Sequence, residues 1–364
     1  MKLVIFGLTI SSSWGNGHAT ILRGLLRQLI ARGHEIVFFE RDAPYYAAHR
    51  DLSELPGGSL QLYAAWPEVL PIARRHLADC DVAMVTSYCP DGIAASELIC
   101  SSAAFRVFYD LDTPVTLSRL RNREPLSYLD ERGLRDFDLV LSFTGGGALA
   151  ALKLELGARR VAPLYGSVDP EVHWPTSATS AYLGNFSYLG TYAADRQAAL
   201  ERLFLAPARQ LPSKRFVIAG AQYPADFPWS ENISFVRHLP PNEHPTFFCS
   251  SRLTLNVTRA AMAAMGWCPS GRLFEAAACG VPIVSDNWEG LDEFFTADEE
   301  IIVAETSDDA LAALEMSDAE LRRISLAARD RVLAEHTAEA RALELEQILN
   351  SSRVEAQLSE AQPC

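Results

Sequence analysis

The chain has 364 residues, of which 49% are hydrophobic and 21% charged; this is a soluble, globular composition that excludes a disordered, collagen-like or disulfide-miniprotein chain. Net charge is −14, and twelve acidic residues with no Lys or Arg fall between Glu289 and Glu320. The rest sums to about −2, a poor composition for gripping nucleic-acid phosphates, and the acidic run reads as a solvated face.

Residues 2–10 (KLVIFGLTI) read as a short buried strand. A Ser- and Gly-rich loop follows. An amphipathic helix then runs from about Gly17 to Arg32, with Ile21, Leu22, Leu25, Leu26, Leu29 and Ile30 at three- and four-residue spacing. IVFF (36–39) is the next strand, and strand, loop, helix and strand of these lengths make a βαβ unit with parallel strands. The alternation continues through strands at 81–87, 105–112, 137–143 and 158–165, with helices at 91–101 and after the Gly145–Gly147 turn. Residues 166–187, with two prolines and many small or polar residues, read as a linker.

A second alternating set begins with YLGTY (188–192) and a helix from about Ala194 to Leu205. Strands follow at 214–220, 232–239, 252–258 and 281–286, with a helix at 274–280 and helical sequence over 308–349. The expectation is α/β: two Rossmann-like, doubly wound domains facing across a cleft. Their spans would be 1–168 and 169–334, with C-terminal helices from about 335 to 364 packing back on the first. Ligands of such domains sit at the carboxyl ends of the strands.

Seven cysteines, odd in number and without a C-x-x-C pair, argue against a disulfide framework or a zinc site. No stretch nears 18 apolar residues, and the apolar start lacks a small-residue cleavage site. The expected setting is cytoplasmic.

Three segments could carry chemistry. The loop Ser11–His18 places Gly15, Asn16, Gly17 and His18 ahead of a helix N-terminus, where backbone N–H groups suit a phosphate or carboxylate. Gly15-x-Gly17 is part of a dinucleotide fingerprint, but its third glycine position holds Thr20; Glu40, ending the next strand, stands where a ribose ligand would. An NAD-dependent oxidoreductase is therefore an alternative. The second segment, Tyr109–Pro114, offers Asp110 and Asp112 on one face of an extended strand; they suit sugar hydroxyls or base catalysis, or serve a turn before Pro114. The third runs from Asn256-Val-Thr258-Arg259 to Pro269-Ser270-Gly271-Arg272-Leu-Phe-Glu275 and on to Gly280-Val-Pro282. Ser270 is an N-cap candidate, Arg272 suits a pyrophosphate through its planar fork, and Glu275 suits two vicinal ribose hydroxyls; Arg272 and Glu275 also fit an i,i+3 ion pair.

The Pro-Ser-x-Arg-Leu-Phe-Glu-Ala-x-Ala-Cys-Gly-x-Pro block resembles the nucleotide-sugar segment of glycosyltransferases of the two-domain GT-B fold, and most of all their CgeB-type, family-4-like branch. SSWGNGHAT (12–20), YDLDTPVTL (109–117), YGSVDPEVHWP (165–175), YLGTYAADRQ (188–197), HLPPNEH (238–244) and SDNWEGLDEFF (285–295) are similar to that branch too. The resemblance implies transfer of a sugar from a nucleoside-diphosphate donor, UDP- or TDP-linked, to an unidentified acceptor. It implies that no metal and no cofactor beyond the co-substrate takes part, and that no nucleic acid or membrane span is involved. A non-catalytic sugar-nucleotide-binding protein is the other alternative.

The resemblance further implies that Glu275 binds the ribose and that Arg259 and Arg272 face the diphosphate, with Thr191 and Arg196 in support. His238-Leu239 would hold the base through backbone groups. Gly15, Asn16, Gly17 and His18 would close on the donor; Asp110 and Asp112 lie on the acceptor side, with His18 and Asp112 as the catalytic candidates. Asp110-Leu-Asp112 has metal-binding spacing but lies in the wrong half for the donor. The family's first glutamate, eight positions before Glu275, is Trp267 here.

Overall fold

The computed structural model describes residues 1–360, so Cys364, and the end of the expected C-terminal helical stretch, lie outside the described residues. The chain forms two compact units, residues Met1–Tyr165 with the C-terminal stretch from Glu339, and residues Gly166–Ala338.

The first unit is a seven-stranded parallel sheet built from β1 (Lys2–Gly7), β2 (Glu35–Arg41), β3 (Ser59–Tyr63), β4 (Val82–Thr86), β5 (Phe105–Asp110), β6 (Leu139–Ser142) and β7 (Val161–Pro163). Their spatial order is β3-β2-β1-β4-β5-β6-β7, so the order reverses beside β1. Helices cover both faces, which is why β4 reads as an unbroken apolar run with every residue buried. The helix Gly17–Ala31 buries Leu22, Leu25, Leu26 and Leu29 on one face. The helix Ala338–Glu360 adds Ala342, Leu345 and Leu349 to the same core.

The second unit is a six-stranded parallel sheet of β8 (Gly184–Leu189), β9 (Phe216–Gly220), β10 (Ile233–Arg237), β11 (Ser251–Asn256), β12 (Ile283–Ser285) and β13 (Ile302–Val303), ordered β10-β9-β8-β11-β12-β13. The two doubly wound sheets are the architecture read from the alternating pattern.

Local differences have physical causes. β8 ends at Leu189, so Gly190-Thr191-Tyr192 leave the strand and form a loop. β8 also starts inside the expected linker, because its polar opening, Gly184-Asn185, masks the apolar stretch behind it. β5 ends at Asp110 rather than Asp112, since Pro114 favours the first turn of the next helix, Thr113–Arg121. β3 and the helix Trp66–Leu77 have no counterpart in the sequence reading; that helix carries Pro67 at its first turn and Pro71 inside. Part of the acidic run is spent on helix starts: Thr306 with Asp309 and Ser317 with Glu320 form reciprocal capping boxes.

Candidate functional site

In the second unit the residues converge at the carboxyl ends of β8, β9 and β11. The helix Gly271–Ala278 carries Arg272 and Glu275 one turn apart, so both project from one face. Ser270 holds the N-cap position, but its side chain makes no capping bond. The guanidinium of Arg272 is half-buried, donates from Nη1 to Asn256 Oδ1 at 2.9 Å and lies 5.0 Å above the Tyr188 ring. Burial holds its pKa below the ordinary value, and it forms no ion pair among the described residues. Gly190 and Gly220 make room for this packing. A Cβ at Gly190 would sit 2.8 Å from Arg272 Nη2, and one at Gly220 would sit 2.0 Å from the Gly190 carbonyl.

Arg196 lies beside this cation. Its Nη1 donates to the Thr191 carbonyl at 3.2 Å, and its buried Nε has no hydrogen-bond partner. The Tyr188 hydroxyl is likewise buried and unpartnered. Two guanidinium groups, an unpartnered donor and an unpartnered hydroxyl make a cradle suited to an anion with several acceptor oxygens. Arg259 differs from Arg272: it is about one-third exposed, and its Nε pairs with Asp195 at 3.2 Å.

Glu275 is buried. Burial alone would raise its pKa, but the imidazoles of His173 and His244, together with Arg272, outweigh that and hold the carboxyl below the usual range. The sequence reading did not single out His173, His244 or Asp286. His173 lies in DPEVHWP and His244 in HLPPNEH, both quoted for their resemblance only. Asp286 accepts from the Thr258 N–H and hydroxyl at 3.0 Å and so anchors the turn that leads to Arg259. His238 and Leu239, the expected backbone contacts for the base, already carry hydrogen bonds within the second unit. The His238 N–H donates to the Gly220 carbonyl at 2.9 Å, and the Leu239 carbonyl accepts from His244 Nε2 at 3.3 Å. Trp267 folds over the following turn, with its N–H on the Glu289 carbonyl at 2.7 Å and its indole Nε1 on Glu293 at 2.6 Å.

In the first unit His18 and Asp112 meet although 94 residues separate them. His18 Nε2 lies 3.4 Å from Asp112 Oδ2, and the Tyr88 hydroxyl donates to the same oxygen at 2.7 Å. Burial, with Asp112 beside it, pushes the Tyr88 hydroxyl up, so it stays protonated and keeps donating. Tyr88 was not singled out from the sequence: nothing in SYCP marks it, and it depends on a left-handed backbone with φ 67°.

Asp110, Asn16 and Glu40 are each engaged by groups of the first unit. Asp110 does not share an open face with Asp112. It is fully buried at the strand end, and its Oδ1 accepts from the Asp112 N–H at 3.2 Å and from Thr116 Oγ1 at 3.0 Å. Asn16 is a buried N-cap, accepting from the His18 N–H and donating to the Thr9 carbonyl, both at 3.2 Å; Gly15 and Gly17 flank it. Glu40 is unavailable to a ribose, because its carboxylate receives the N–H groups of Ile10 and Ser11 at 2.8 and 3.0 Å and the hydroxyls of Thr9 and Ser11. That carboxylate fixes the Ser-rich loop and removes the acidic ligand a dinucleotide site needs.

Residues 196–347 match the family described as glycosyl transferase-like. The match covers most of the second unit, begins at Arg196 beside the Arg272 guanidinium, and marks an enzyme. Over the whole chain the fold is that of GT-B glycosyltransferases. Sucrose-phosphate synthase from Thermosynechococcus elongatus is 15% identical with TM-score 0.71, each chain covered in full. Anabaena HepE in complex with UDP and glucose is 12% identical with TM-score 0.70, over 96% of this chain and all of that one. An alpha-glucosyltransferase in complex with UDP is 14% identical with TM-score 0.69, again over 96% of this chain and all of that one. No curated protein sequence matches. No helix among the described residues is long and apolar enough to cross a membrane.

Proposed function

We propose that this protein is a glycosyltransferase of the CgeB-type branch. It moves a sugar from a UDP- or TDP-linked donor to an acceptor hydroxyl, without a metal. The observation that carries this reading is Arg272, a half-buried guanidinium without an ion pair, one helical turn from a buried Glu275. A partly desolvated guanidinium that makes no direct ion pair is costly, and a diphosphate would supply a directly paired anion. In this reading Glu275 accepts from the ribose hydroxyls, and Arg272 and Arg196 neutralise the leaving diphosphate, the task a metal performs elsewhere. Arg259, already paired with Asp195, plays the lesser part. The UDP complexes of HepE and the alpha-glucosyltransferase support a pyrimidine nucleotide.

The first unit supplies the proton chemistry. His18, with Asp112 fixed by Tyr88, is the group to deprotonate an acceptor hydroxyl, and Asp112 orients the acceptor. A thermal-shift panel of UDP, TDP, GDP, ADP and their glucose conjugates tests the donor. A ligand at 100 times its Kd should stabilise by about 2.7 kcal/mol. Donor hydrolysis or transfer should then proceed in EDTA. A response confined to purine nucleotides, or turnover that requires added manganese, would refute the proposal.

A further inference from the structure

The second unit contains one grouping that neither the donor reading nor the sequence spacing accounts for. One ligand atom each from His173, His244 and Glu275 lies within 4.8 Å of the others. His173 Nε2 is 3.9 Å from Glu275 Oε1, and His244 Nδ1 is 3.7 Å from Glu275 Oε2. Both separations are too long for hydrogen bonds.

Hydrogen bonding makes the arrangement stranger. The Leu239 carbonyl can only accept, so His244 Nε2 must carry the hydrogen it donates there. In the neutral imidazole Nδ1 is then a bare lone pair, buried, without a hydrogen-bond partner and turned toward a carboxylate. His173 is only 1% exposed, and neither of its ring nitrogens has a partner. Three potential ligand atoms, two from imidazoles without hydrogen-bond partners and one from a carboxylate, thus stand together at a spacing that a bound cation would satisfy.

We infer that His173, His244 and Glu275 form a zinc site, and that a zinc ion held there excludes the nucleotide ribose from Glu275. Two imidazoles and one carboxylate are a zinc donor set that leaves a fourth position for water. Zinc ligands at about 2.0–2.1 Å lie about 3.3 Å from one another in a tetrahedron, so closing the site takes an inward shift of roughly half to one ångström per ligand. The His244–Leu239 hydrogen bond is the outer contact that metal-bound histidines ordinarily make. Zinc here is an inhibitor and takes no part in sugar transfer, so activity in EDTA is compatible with it. The exclusion rests on the donor reading above; zinc binding itself does not.

Chelator-stripped protein should be titrated with zinc chloride by calorimetry at pH 7.5, with cobalt(II) as a spectroscopic stand-in. One zinc per chain is expected, together with tetrahedral cobalt bands that fade as UDP is added. His173→Ala and His244→Ala should each weaken zinc at least tenfold, with folding checked by circular dichroism. Saturating zinc should weaken UDP at least tenfold in the wild type. Less than a tenth of a zinc per chain in the wild type would overturn the site, whatever the variants do. Zinc binding with unchanged UDP affinity would overturn the exclusion. A zinc-free protein that binds zinc but no UDP would instead sink the donor reading and leave the metal site standing.

Discussion

Replacing Arg272 by Met separates a binding cation from a structural one, because the two roles predict opposite balances of stability and affinity. Methionine nearly matches the stem and removes the charge. The structure gives the terms. The guanidinium loses one hydrogen bond to Asn256 and its place over Tyr188, worth about 1.5–3 kcal/mol and up to ~2 kcal/mol when desolvated. Against this, the variant no longer desolvates a half-buried charge that makes no direct ion pair, a penalty of about the same size. The two sides nearly cancel, so ligand-free stability should change by no more than about 1–2 kcal/mol, or ~2–8 °C in Tm for a unit of this size. UDP affinity should behave differently. Losing charge-assisted bonds to the diphosphate should cost about 1.5–3 kcal/mol, ten- to a hundredfold. Uridine, which lacks phosphates, should bind almost as before. Differential scanning fluorimetry without ligand and titration calorimetry with UDP and uridine read both sides. A ligand-free variant destabilised by 10 °C or more that binds UDP at wild-type affinity would show that Arg272 serves the fold alone.

The other site residues give sharper but narrower tests. Glu275→Ala should weaken UDP and uridine alike by about ten- to a hundredfold in calorimetry, since the ribose is common to both; unchanged affinity in a folded variant would mean the donor site is misplaced. His18→Ala should lower kcat by about 10²–10⁴-fold with the donor KM nearly intact, and steady-state kinetics at the wild-type rate would remove His18 from the chemistry. Asp112→Asn should mainly raise the acceptor KM, and Tyr88→Phe should reproduce part of that effect by freeing the Asp112 carboxylate.

The fold was legible because its signal is redundant. Buried parallel strands such as VAMVT and helices such as the one carrying Leu22, Leu25, Leu26 and Leu29 announce themselves by period and composition. Where several signals conflict, elements went unread: Pro71 inside the helix Trp66–Leu77, and a two-residue strand at Ile302–Val303. The site was legible only where its residues are close in sequence, as Arg272 and Glu275 are. His173, His244 and Glu275 are brought together by the loop entering the second unit and by two helices, and no spacing rule relates them. Tyr88 was hidden, and the role of Glu40 misread, for a related reason. The role of each depends on which hydrogen-bonding groups the turn after a neighbouring strand happens to present.

Asp110 shows what positioning the first-unit groups costs, and how that cost can be measured. Burial raises its pKa from 3.8 to about 6. The folded state therefore holds the proton in a pH range where the unfolded chain has already released it. The unfolded state binds fewer protons between those values, so stability falls as pH rises through about 4 to 6 and stays lowered above. A shift of about two units corresponds to roughly 3 kcal/mol at most. In return, Oδ1 pins the Asp112 N–H and Thr116, fixing the turn that aims Asp112 at Tyr88 and His18. Asn at this position keeps that acceptor and cannot ionise. Asp110→Asn carries a pH-independent offset from its new amide, and its advantage over the wild type should grow by roughly 2 kcal/mol between pH 4.5 and 8, as read by urea denaturation at a series of pH values. A difference between variant and wild type that stays flat across that range would mean that Asp110 is not the buried, reluctant acid its surroundings require.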